Sequence, residues 1–383
     1  MDNSPAATEE KLHHEYDTSA YTAKRILILF DAKIAFLGNF CQRIDKLRYI
    51  KSYFEGASIH INFSAFTERK FYESLLLNNP YIDQFTSLPW EDIDFLQYDT
   101  VFVASYEEDV IRSRLLNRYG SLPGNVLLQI HLFSVSAMFL PDNKDARYVL
   151  PVYRSFMNYL ERIAVSPGEL YISREERQWA NSWLEERGFK KHEKLAILLD
   201  TTSRRHKLLD IRVYFEFLAW LLDRENIKVL VFDEKNMGKE AFYKEWLSPA
   251  QFTKMIFAKG NGLREDLRLI ASEYTKLVFG PCTGLIHCSS SIYNHFVDKG
   301  MNAAEVPLII TYTGCYLDGK NAWDWWGAAP LVSCLLLREK NNRKQMVLLN
   351  ELSPEEKMMK NNIHCSEYTT DMLIDFVRER MPV

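Results

Sequence analysis

The 383 residues carry 47 Lys and Arg against 51 Asp and Glu, a formal charge of −4, and are 47% hydrophobic and 26% charged. That composition is globular: it excludes collagen-like, fibrous and disordered chains, and it gives no overall positive field for holding nucleic acid. At roughly 150 residues per domain the length suggests two or three domains, and 20 Tyr with 23 Phe supply their cores.

Residues 1–22 are polar and acidic, where an export signal would be basic and then apolar, so they read as a loose tail of a cytoplasmic protein. Order begins near Arg25. The run 26–30, Ile-Leu-Ile-Leu-Phe, is continuously apolar, as expected of a parallel strand buried on both faces, and 46–54 follows with helical spacing. Strands at 58–63 and 100–104 with a helix at 66–77 continue a βαβ pattern. A charged helix is expected from Arg174 to its stop at Gly188. A second alternation then runs through a strand at 195–199, an amphipathic helix at 211–222, a strand at 228–232, a helix at 263–272 and a strand at 276–279. The fold class is therefore α/β: a flexible tail (1–22), a first domain (23–170) and a second (171–383), two Rossmann-like halves facing across a cleft. Ligands of such sheets sit beyond the carboxyl ends of the strands. The apolar runs fall short of the roughly 20 residues that cross a bilayer. The six cysteines, Cys41, Cys282, Cys288, Cys315, Cys334 and Cys365, form no C-x-x-C pair and read as reduced, mostly buried thiols.

Three loops could carry chemistry. After the strand at 195–199 comes Asp-Thr-Thr-Ser-Arg-Arg-His-Lys, residues 200–207, whose hydroxyls and cations suit an anionic diphosphate beside a helix N-terminus. The same stretch reads equally well as a solvated turn with Ser/Thr capping. After the strand at 276–279 comes Gly-Pro-Cys-Thr-Gly-Leu-Ile-His, residues 280–287. Gly284 permits close backbone approach to a ligand, and a helix starting there would offer free N–H groups to phosphate. His287 is a phosphate donor or, on its own spacing, a packed histidine. The loop 31–40 holds Asp31, Lys33, Gly38 and Asn39; Asp31 is either a general base or a cap. The histidines show no metal-site spacing, and no metal or other cofactor is expected.

These loops resemble, in order, the bacterial ADP-heptose:lipopolysaccharide heptosyltransferase family of two-domain GT-B glycosyltransferases. The likeness runs through the first strand and glycine loop (26–39), Asn-Asn-Pro-Tyr-Ile-Asp at 78–83, Tyr-Asp-Thr-Val at 98–101, Thr-Thr-Ser at 201–203 with Lys207, and Thr-Gly-Leu-Ile-His at 283–287. The resemblance implies transfer of a sugar from a nucleotide-diphosphate donor to a hydroxyl acceptor. Thr202, Ser203, Lys207, Thr283, Gly284 and His287 would hold the diphosphate and Glu240 the ribose. Gly38 and Asn39 would lie on the acceptor side. The nucleotide sugar is a substrate, the acceptor a glycan, lipid-linked or peptide hydroxyl, and a peripheral position at the inner membrane surface fits that acceptor class. Two departures stand out. Cys282 precedes Thr283-Gly284 where the family has Asp, and Asn39 follows Gly38 where it again has Asp. An amide cannot act as a base in the working pH range, which leaves Asp31 as candidate base. A catalytically silent nucleotide-sugar-binding scaffold and a nucleotide-sugar epimerase are the alternatives. Trp323, Trp325 and Trp326, with Asp318, would make a sugar platform, a buried cluster or a partner interface.

Overall fold

The computed structural model describes residues 23–31, 37–41, 46–63, 69–105, 110, 113–114, 117–118, 131–134, 159, 162, 167–202, 204–314, 329–357, 359 and 361–381. The N-terminal tail, Ser203, Cys315, Asp318 and the three tryptophans at 323–326 lie outside the described residues. The chain divides into two compact units, residues 1–73 with 79–166, and 74–78 with 167–383. The division thus falls at 166/167 rather than 170/171, and a short piece of the first half is counted with the second unit.

The first unit contains β1 (Arg25–Asp31), α1 (Leu37–Cys41), α2 (Lys46–Tyr53), β2 (Ser58–Phe63), α3 (Arg69–Leu76), β3 (Gln84–Thr86), β4 (Thr100–Ser105) and β5 (His131–Ser134). The strands form one parallel sheet in the order β3-β2-β1-β4-β5. β1 is central, and Ile26 to Phe30 are all buried, which is why every position of that run is apolar. The segments 78–83 and 98–101 supply staples at the opposite ends of these strands from the loops after β1 and β4. Asp83 Oδ2 accepts from Ile59 N at 2.8 Å and from Lys51 Nζ at 2.9 Å. Asp99 Oδ2 accepts from the N–H groups of Lys24 and Arg25, both at 2.8 Å. They satisfy backbone donors where β2 and β1 begin.

The second unit contains α4 (Arg174–Glu185), β6 (Lys194–Leu198), α5 (Ile211–Leu222), β7 (Ile227–Asp233), α6 (Lys239–Trp246), α7 (Pro249–Phe252), β8 (Met255–Lys259), α8 (Leu263–Ile270), β9 (Thr275–Pro281), α9 (Gly284–Asp298), β10 (Leu308–Thr313), β11 (Val332–Lys340), β12 (Arg343–Leu348), α10 (Pro354–Lys357) and α11 (Thr370–Arg380). Its sheet runs β12-β11-β10-β9-β6-β7-β8, parallel throughout except for the β11–β12 hairpin. Chain order reverses between β6 and β9, and this is the crevice where open α/β sheets take ligands. A Cβ on Gly280 would come within 2.6 Å of Leu199 Cβ and 2.8 Å of Leu199 O, so β9 leaves the sheet beside β6 on a residue without a side chain. One core joins α5 and α11 to the sheet, through Phe217, Leu221, Phe279, Tyr312, Leu335 and Leu373.

α4 starts at a capping box. Ser173 Oγ accepts from Glu176 N at 3.2 Å, and Glu176 Oε2 accepts from Ser173 N at 2.9 Å. The same buried carboxylate receives Arg264 in a two-point contact at 2.7 and 2.6 Å, Arg268 at 2.9 Å and Asn78 Nδ2 at 2.9 Å. Burial works against its ionisation, but the hydrogen bonds from Arg264 and Ser173 outweigh it and hold the carboxyl below its usual range. Arg264 also donates to Ser74 O and Tyr171 O, so 74–78 and 167–173 are both secured to α8.

Candidate functional site

At the β6/β9 crevice the two phosphate-type loops of the second unit meet. β6 ends at Leu198, and residues 199–210 lead to α5 through a single 3-10 turn, Arg205–Lys207. Asp210 caps α5 by accepting from Arg212 N at 2.9 Å. Within this stretch Lys207 turns inward, and its Nζ donates to the Cys282 carbonyl at 3.4 Å. That bond joins residues 75 positions apart. Thr202 is half-buried, while Thr201, Arg204 and Arg205 are exposed.

The other loop is short. β9 ends at Pro281, Cys282 is buried, and Thr283 is the extended N-cap of α9 (φ −139°, ψ 161°). Its hydroxyl makes no capping bond to the helix. The first-turn N–H groups of a fifteen-residue helix therefore face the loop with the positive end of the helix dipole, next to the Lys207 ammonium. His287, one turn in, is 6% exposed, and burial followed by the Lys207 charge pushes its imidazole down to about 3. It is therefore a neutral, packed ring, and any contact it makes to an anion is a single N–H bond.

Behind the first loop lies a polar network with no motif in the sequence to mark it. Lys239, at the start of α6, donates to Asp200 Oδ1 at 2.5 Å and to Phe232 O at 2.6 Å. Tyr243 OH donates to Asp200 Oδ2 at 2.9 Å and lies 2.6 Å from Tyr214 OH. Since Tyr243 has one hydroxyl proton and spends it on Asp200, Tyr214 is the donor in the second contact. Burial raises both phenols well above their usual range, so they stay protonated. Asp233, 1% exposed, accepts from the N–H groups of Met237 and Lys239 and so holds the β7–α6 turn. Glu240, assigned to the ribose by resemblance, turns outward: its carboxylate pairs with Lys259 and is 44% exposed. The inward-turned side chain of this pair is Lys239.

In the first unit, Asp31 is the last residue of β1, opposite Ser105 at the end of β4. It stands where chain order reverses in that sheet, though its side chain is not among the described ones. Gly38 and Asn39 sit in α1, a helix of one turn, and not in an irregular loop as expected. The Asn39 side chain also lies outside the described set. Among the described residues no group of three His, Cys, Asp or Glu is placed to hold a metal ion. No described helix is long and apolar enough to cross a membrane. The five described cysteines are buried thiols outside any disulfide.

No protein-family model and no curated protein sequence matches the chain. Solved structures do. A glycosyl transferase family 9 protein of Veillonella parvula matches with a TM-score of 0.59 at 14% identity, over 94% of this chain and 98% of its own. The E. coli ADP-heptose lps heptosyltransferase II matches with a TM-score of 0.57 at 13% identity, over 93% and 98%. Matches of that length at so low an identity are matches of fold, and the fold of this chain is that of the GT-B glycosyltransferases, built of two Rossmann-like units.

Proposed function

We propose that the protein is a heptosyltransferase-like glycosyltransferase that moves a sugar from a nucleotide-diphosphate donor to a hydroxyl acceptor. The observation that carries this reading is the meeting of Lys207 with the Cys282-Thr283-Gly284 turn at the sheet's switch point. A fixed ammonium and a helix N-terminus then flank one place. That pairing suits a leaving diphosphate, on which negative charge grows as the bond to the sugar breaks. Thr202, Ser203, Thr283 and Gly284 supply further donors, with His287 behind them. Glu240 would need to leave Lys259 to reach a ribose.

In the reaction an acceptor oxygen bonds to the anomeric carbon, the carbon–oxygen bond to the diphosphate breaks, and the acceptor proton passes to a base. Asp31, at the carboxyl end of β1, is our candidate for that base. The ADP-heptose named for the E. coli neighbour makes ADP-sugars the first donors to try. The acceptor is a glycan, lipid-linked or peptide hydroxyl, and a cytoplasmic place, at the inner membrane surface for a lipid-linked acceptor, belongs to the same proposal. Asn39 in place of an acidic residue favours a second reading, a nucleotide-sugar-binding scaffold.

Incubation with a panel of ADP- and UDP-sugars, with and without acceptor extracts, separates these. Acceptor-dependent release of nucleoside diphosphate supports the transferase, saturable binding without turnover the scaffold, and an isomerised sugar an epimerase. No binding of any nucleotide sugar refutes the donor site.

A further inference from the structure

The structure assigns Asp200 as the positioning residue of the phosphate-type loop: its carboxylate, gripped by Lys239 and Tyr243, sets the backbone from which Thr201, Thr202 and Lys207 are presented. The consequence for ligand binding rests on the donor-site reading above, whereas the clamp itself does not.

Leu199 N donates to Phe279 O at 2.8 Å, which is the last ladder bond of β6. At the other end Asp210 caps α5, and the turn at 204–208 is closed by the bonds Lys207 N to Arg204 O and Leu208 N to Arg205 O. Among the described residues, Asp200 is a side-chain tie between the ladder and that turn. Both of its oxygens are engaged, one by an ammonium from α6 and the other by the Tyr214–Tyr243 hydroxyl chain, which reaches back to α5. The carboxylate therefore connects the first residue of the loop to the two helices that follow β6 and β7. Its side chain is 16% exposed and that of Lys239 15%, so water competes little for the pair.

The same geometry separates the two lysines near the loop. Lys239 directs its ammonium at Asp200 and at Phe232 O, and its charge is matched within 2.5 Å. Lys207 Nζ instead donates to the Cys282 carbonyl, one residue before the N-cap of α9. Lys207 thus stands beside the N-terminus of α9, where the donor-site reading puts the diphosphate, while Lys239 acts on the ligand through Asp200.

The test uses the full chain with five variants: Asp200→Asn, Asp200→Ala, Tyr243→Phe, the Asp200→Ala/Tyr243→Phe double variant, and Lys207→Ala. Two readouts are taken, amide hydrogen exchange of residues 201–207 in the ligand-free protein and calorimetric titration with ADP and with UDP. Asp200→Asn is expected to speed exchange across 201–207 by about ten-fold or more and to weaken the nucleotide about ten-fold. Tyr243→Phe should do less of both, and in the Asp200→Ala background, which leaves its hydroxyl no acceptor at 200, Tyr243→Phe should add nothing, because Tyr243 works through that carboxylate. Lys207→Ala should weaken the nucleotide while leaving exchange at 201–202 unchanged. Should Asp200→Asn prove too unstable, Tyr243→Phe, which removes one of two donors, gives the same comparison. Unaltered exchange in the Asp200 and Tyr243 single variants, or a full additional Tyr243→Phe effect in the double variant, overturns the assignment. Failure of the wild type to bind ADP or UDP would remove the donor-site reading, and the exchange arm would still decide the clamp.

Discussion

Lys207→Ala is the perturbation that bears most directly on the donor site. In the free protein its Nζ lies 3.4 Å from the Cys282 carbonyl, beyond the usual 2.7–3.2 Å of an N–H···O bond, and loss of that contact should cost the fold about 0.5 kcal/mol. Against a diphosphate the same ammonium makes a charge-assisted bond next to a helix N-terminus, and bonds of that class contribute about 1.5–3 kcal/mol. At 1.4 kcal/mol per factor of ten, the dissociation constant for a nucleoside diphosphate should rise about 10- to 150-fold. The asymmetry between a small loss of stability and a large loss of affinity is the signature of a ligand-facing lysine. Calorimetric titration with ADP and UDP, paired with thermal unfolding of the free protein, measures both. An affinity within about two-fold of wild type at unchanged melting temperature would refute the reasoning, since a charge-assisted bond to a diphosphate at this half-buried helix N-terminus should contribute more than that.

Asp31→Asn should reduce turnover about 10²–10⁴-fold while donor affinity, measured by titration, stays close to wild type; full turnover would make Asp31 a structural residue. Glu176→Ala strands the buried Arg264 and should cost about 3–5 kcal/mol in urea unfolding, far more than a surface ion pair. Gly280→Ala places a methyl against Leu199 Cβ and backbone and should destabilise by about 1–3 kcal/mol, read as a lower urea midpoint at unchanged slope. His287 has a folded pKa of about 3 against 6.5 unfolded, so between those values the unfolded chain holds the extra proton and stability falls as pH falls. That one group should cost about 2 kcal/mol from pH 6.5 to 4.5, and urea midpoints of His287→Gln should show a correspondingly shallower acid slope.

Much of the scaffold is legible in the chain itself. The run at 26–30 becomes the central strand β1, the run at 58–63 is β2, and the helix expected at 211–222 is α5 without a residue's shift. These signals are local: a strand buried on both faces has no room for a polar residue, and an amphipathic helix repeats its apolar positions every turn. β3, with three residues, and β8 carry too little pattern to be read, and the partners of 78–83 and 98–101 emerge only when Asp83 and Asp99 are seen holding backbone N–H groups. The site divides in the same way. That 200–207 and 280–287 follow strands, and carry donors suited to phosphate, is written in their residue types. That they meet depends on β6 lying beside β9, and that Asp200 is held by Lys239 and Tyr243 while Glu240 turns to Lys259 depends on β7 lying on the other side of β6. Strand order follows from how crossover helices pack on a twisted sheet, a property of the assembled layers, so no spacing along the chain could reveal which carboxylate would face which lysine.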